Sequence, residues 1–141
     1  MSPRRYAERT SVPADRSQGE IRSLLKKHGA DRFAFAEGPD GAHIQFGLRG
    51  QQYRFTVDRP STAEVKKHYA TGSNQARLDA EWRRRWRARL LWLKASLEFA
   101  GDEGAEEIRR VLLANLLLRD GRTVAELIEA DGLPLLGSGT N

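Results

Sequence analysis

Arg77-Leu78-Asp79-Ala80-Glu81-Trp82-Arg83-Arg84-Arg85-Trp86-Arg87-Ala88-Arg89-Leu90-Leu91-Trp92-Leu93-Lys94 is the stretch that decides how this chain folds. It carries all three tryptophans, seven basic residues and only two acids. At 100° per residue, Leu78, Trp82, Trp86, Leu93 and Leu97 fall on one stripe, which predicts a single helix over about residues 75 to 100. Trp92, Ala95 and Phe99 add a second apolar stripe. The back half is therefore expected to be a central core helix, with the arginine-rich front half projecting from it. Trp82 and Trp86 lie on the Leu93/Leu97 stripe and are expected to be core. Arg83, Arg87 and Lys94 share a flank.

On the N-terminal side, residues 1 to 16 have scattered charge and no periodicity, and read as an extended arm. Ser17 and Glu20 have capping-box spacing, so a helix is expected to open at Ser17. Ile21, Leu24 and Leu25 give its apolar face, Lys26, Lys27 and His28 suit its last turn, and Gly29 stops it. Three alternating runs follow, around Phe33 and Phe35, around Ile44, Phe46 and Leu48, and around Tyr53, Phe55 and Val57. Gly38-Pro39-Asp40-Gly41 and Arg49-Gly50 are short turns between them, which predicts an antiparallel meander with one face under helices. Pro60 ends the sheet, and residues 59 to 74 read as a short helix or mobile linker.

On the C-terminal side, Gly101 and Gly104 break the long helix. A second helix is expected from about 104 to 119, with Ile108, Leu112, Asn115 and Leu116 inward. Asp120-Gly121 is a turn, and the capping box Thr123/Glu126 opens a last short helix. Residues 132 to 141 read as a tail. The predicted class is α+β: an N-terminal helix, a three-stranded antiparallel meander, a long central helix and two shorter C-terminal helices. Residues 17 to 131 would form one domain.

Composition bounds the function. A chain of 141 residues with 39% hydrophobic and 30% charged residues suits a globular domain with a modest core. The mean hydropathy is -0.63. The absence of cysteine excludes disulfides, thiolate zinc sites and thiol catalysis. No apolar run approaches the roughly 20 residues of a membrane span. No signal peptide is recognised, so a cytoplasmic location is expected. Charge is uneven: 20 Lys and Arg face 10 Asp and Glu up to Lys94, and 4 face 9 beyond it. A basic body and an acidic end suggest one surface for a polyanion and another for something else.

Catalytic signals are weak. His28, His43 and His68 are isolated, so no metal site is expected. There is no nucleophile elbow and no phosphate-cradling glycine loop. Asp58 with Glu64-Val65-Lys66 faintly resembles the carboxylate-plus-lysine cluster of metal-dependent nucleases, but that cluster belongs on a sheet strand and Pro60 intervenes. No cofactor and no catalytic residue are expected. Arginine pairs with phosphates and tryptophan stacks on unpaired bases. Arg83, Arg84 and Arg87 are thus the candidate phosphate contacts, with Arg49, Arg54, Lys66 and Lys67 extending the track and Arg4, Arg5, Tyr6 and Arg9 at its margin. The plainer reading makes them a solvated face.

Several blocks look like a known family. Tyr6-x-x-Arg9-Thr10-Ser11-Val12-Pro13, Ser17-x-x-Glu20-Ile21-x-x-x-Leu25, His28-Gly29-Ala30, Arg85-Trp86-Arg87-Ala88-x-Leu90-Leu91-x-Leu93-Lys94-Ala95-x-Leu97-Glu98 and Asp120-Gly121-Arg122-Thr123-Val124 resemble a family of small uncharacterised phage and prophage proteins. Residues 59 to 76 have no matching block. The resemblance implies a mobile-element origin and transfers no catalytic residue. The expectation is a small non-enzymatic nucleic-acid-binding protein, favouring single-stranded DNA, in phage replication, recombination or packaging. The alternative is a module docking its basic helix on an acidic host polymerase, nuclease or defence complex. The apolar excess of the long helix also allows a homo-oligomer.

Overall fold

The computed structural model describes residues 10–132. Helix α1 (Ala14–Lys27) leads into strands β1 (Asp31–Gly38), β2 (Gly41–Leu48) and β3 (Gln51–Asp58). Helices α2 (Thr62–His68), α3 (Asn74–Ala100), α4 (Ala105–Val111) and α5 (Val124–Asp131) follow, with a 3-10 turn at Leu113–Asn115. The expected α+β class is what the chain adopts. The arm residues 1 to 9 and tail residues 133 to 141 lie outside the described residues.

The sheet is an antiparallel meander in the order β1-β2-β3. Both residues of the Arg49-Gly50 turn have positive φ, 51° and 82°. This two-residue hairpin matches the sheet's twist, at the cost of placing an arginine in left-handed backbone. Ala42, Ile44, Phe46 and Leu48 of β2 join Tyr53, Phe55 and Val57 of β3 on the buried face. Against it pack Trp86, Leu90, Leu93 and Leu97 of α3, Ile21 and Leu25 of α1, and Ile108 and Leu112. The end of α1 crosses α3 closely. A Cβ on Gly101 would lie 2.7 Å from the Leu97 carbonyl and 3.1 Å from the His28 ring, so glycine is required there.

Two local expectations need correcting, and one open choice is decided. First, α1 opens at Ala14 behind Pro13, whose carbonyl accepts from the backbone of Arg16 and Ser17. Ser17 sits inside the helix, fully buried, with no partner for its hydroxyl. The Ser-x-x-Glu spacing also fits a helix interior, and the proline sets the start. Glu20 pairs instead with Arg16 and Arg87. Second, of the two readings for residues 59 to 74, the short helix is the one that forms, over Thr62–His68, with Ser61 and Glu64 as its capping box and Val65 buried. Third, the helix expected to reach 119 ends at Val111. The outer edge of β3 explains the break. Asn115 donates its side-chain amide to the Arg54 carbonyl, and the Leu117 N–H donates to the Gln52 carbonyl at 2.9 Å. Exposed strand-edge groups find partners that a continuing helix would deny them. The Thr123/Glu126 capping box is present as expected.

Candidate functional site

Helix α3 sorts the basic residues onto two flanks. Its buried stripe is Trp86, Leu90, Leu93 and Leu97. Arg83, Arg87 and Lys94 lie on the flank facing α1, and Arg85, Arg89 and Trp92 on the flank facing the end of β3, with Arg84 behind. The front half does not project, since Trp86 is 1% exposed and edge-on to Trp82. Trp82 is half-buried, and the Arg59 guanidinium covers its ring at 3.9 Å. Trp92 is the tryptophan that opens to solvent, at 36%.

The candidate phosphate contacts divide accordingly. Arg87 is tied to Glu20 at 2.7 Å and clamps α3 to α1. Arg84 donates to both carboxylate oxygens of Glu81, at 3.0 and 3.1 Å. Arg54 pairs with Glu126 of α5. These three are therefore not bare cations. Arg83 is half-buried, and no carboxylate pairs with it among the described residues. Lys66 and Lys67 are exposed on α2. Arg49 sits at the far end of β3 from α2, so a strand of eight residues, roughly 25 Å, separates it from the lysines.

Glu81 is the hub that sequence reading missed. It is 2% exposed and accepts from Arg84, from Arg85 at 2.9 Å and from the Tyr69 hydroxyl at 3.2 Å. Arg85 continues to Glu64 at 2.6 Å and to the Asp58 carbonyl at 2.8 Å. Burial opposes the Arg85 charge, but the hydrogen bonds to Glu81 and Glu64 outweigh it and raise its pKa. The Ser61 backbone and Arg85 in turn hold the Glu64 carboxyl below its ordinary value. Of the three residues set beside a nuclease pattern, Asp58 and Glu64 both bond Arg85, Asp58 through its backbone carbonyl, while Lys66 stands exposed on α2. Among the described residues no three His, Asp or Glu groups gather to hold a metal ion.

Beside this hub lies an open groove of about 420 Å³, lined by Thr56, Val57, Asp58, Arg84, Arg85, Ala88, Arg89 and Trp92. Its unusual member is Arg89. The guanidinium lies 5.3 Å from the Trp92 ring centroid and 5.7 Å from that of Phe55. No carboxylate pairs with it among the described residues. Burial alone lowers its pKa, yet arginine stays charged. A half-buried cation without a counter-ion is a standing cost that an arriving anion relieves. Arg89 and Trp92, three apart on one flank, were legible as a helical pair, but nothing in the sequence placed Phe55 beneath them.

Neither a protein-family model, nor a curated protein, nor a solved structure matches this chain. Among the described residues no helix is long and apolar enough to cross a membrane.

Proposed function

We propose that this chain is a small non-enzymatic nucleic-acid-binding protein that favours single strands and serves phage replication, recombination or packaging. The observation that carries this reading is Arg89, a cation without a carboxylate, stacked beside a solvent-open tryptophan. The exposed Lys66 and Lys67 lie on α2, which Glu64 ties to the Arg85 end of the groove. Duplex DNA hides its base faces, whereas a single strand offers phosphate and base to such a pair. The phage setting rests on the family resemblance of the sequence blocks. Fluorescence anisotropy with labelled single-stranded and duplex DNA at two salt concentrations tests the proposal. Tighter, salt-sensitive binding of the single strand is the expected result. Equal binding of both forms removes the stacking component, and no binding at low salt removes the proposal.

One observation favours a second reading, docking on an acidic host protein. Phe99 is 70% exposed on the same side of α3 as Trp92, an apolar extension of the basic groove. Retention of one host protein after nuclease treatment of the lysate, without DNA binding, would select it.

A further inference from the structure

The groove between β3 and α3 has two chemically different ends. As α3 advances from Arg85 to Trp92, it passes β3 in reverse, from Asp58 back to Phe55. At the first end, Arg85 is already bonded to Glu64, Glu81 and the Asp58 carbonyl, and the exposed Asp58 carboxylate lines the wall. An arriving anion would there compete with carboxylates already in place. Arg89 lies one helical turn further, about 6 Å along the axis, where no acid lines the groove.

The strand edge differs between the ends too. The outward carbonyls of Gln52, Arg54 and Asp58 are taken by Leu117, Asn115 and Arg85. Outward backbone groups alternate along a strand, so the next free rung is Thr56. Its N–H and carbonyl have no partner outside the sheet among the described residues, and its side chain is exposed. Arg89, the solvent-exposed Trp92 and the free Thr56 rung therefore surround one space.

We infer that this end of the groove is a nucleotide site, in which Arg89 takes the phosphate, Trp92 stacks the base and the Thr56 backbone meets the base edge. The inference rests on the nucleic-acid reading above and gives it one address. The chemistry, a phosphate joined to a flat heterocycle, occurs both in a free mononucleotide and in each unit of a single strand. Phe55 anchors the site from below, edge-on to Trp92 at 5.7 Å, so the indole is held in place before a ligand arrives.

The test uses the full chain and its own tryptophan emission, titrated separately with thymidine monophosphate, a short oligothymidylate and inorganic phosphate. Quenching by the oligothymidylate is expected, with most of the quench lost in Trp92→Phe. Arg89→Gln should weaken oligothymidylate binding roughly tenfold, as expected for one charge-assisted contact. Saturable quenching by the monophosphate as well would support a site for a free nucleotide. Quenching by the oligomer alone would support a site for a unit within a strand. Phosphate alone should compete without quenching. If the oligomer binds by anisotropy while both variants match the wild type in affinity and quench, the site is overturned and the nucleic-acid reading survives elsewhere on the surface. If no oligomer binds at low salt, that reading fails; the monophosphate titration then overturns the site if it shows no quench, and supports it if the quench saturates.

Discussion

At the scale of single residues, position within an element matters more than type. Ser17 shows this most directly. As a helix cap, its loss would cost about 1 kcal/mol. Inside α1, buried and without a hydrogen-bond partner, its hydroxyl is a liability. Ser17→Ala is therefore expected to leave stability unchanged or raise it, as read by urea unfolding; a loss of 1 kcal/mol or more would restore the capping role. The same logic redirects the choice of site variants. Arg87 and Arg84 are neighbours of acids, so Arg87→Glu would set a like charge against Glu20 and disturb the α1–α3 packing before it reported on any ligand. Arg89 has no such entanglement. The sequence offered the arginines as one cluster; three-dimensional pairing with Glu20, Glu81, Glu64 and Glu126 is what distinguishes them.

At the scale of elements, α2 and the front of α3 are joined through one buried carboxylate. Glu81 serves two arginines and Tyr69, and Arg85 carries the connection to Glu64 and the end of β3. Removing one member of a buried charged network strands the others. Glu81→Ala is expected to cost about 3 kcal/mol in denaturant unfolding, toward the low end for a buried pair because the arginine heads reach water. A loss below about 1 kcal/mol would show that the hub is not structural. The elements themselves were largely readable. Period-two alternation gave the three strands, the Arg49-Gly50 pair gave a hairpin, and the apolar stripe gave α3. What the sequence could not show was set by distant partners. The end of α4 depends on the free edge of β3, and the clamp from Glu64 of α2 runs to Arg85, twenty-one residues further along the chain.

At the scale of the whole molecule, the ion pair between Arg54 and Glu126 ties the chain's acidic end to its basic body, and it responds to pH. The Arg54 side chain and the Thr123 backbone hold the Glu126 carboxyl below its ordinary value of 4.5. A carboxyl depressed in the folded state contributes stability above the unfolded value and loses it as pH falls through the folded one. The melting temperature is thus expected to be flat near neutrality and to fall below about pH 4.5. Glu126→Gln, which keeps a capping-box side chain, should flatten part of that fall. An unchanged profile in Glu126→Gln would place the acid-sensitive groups elsewhere. The charge asymmetry was visible in the sequence, but the sequence did not reveal that Glu126 would sit on Arg54 or that Arg89 would stand alone. The most direct measurement of the central claim is the salt dependence of single-strand affinity for wild type and Arg89→Gln. If Arg89 holds a phosphate, the wild type binds with a steep slope and the variant's slope is shallower by about 0.7. Identical slopes and affinities for the two proteins would contradict the account.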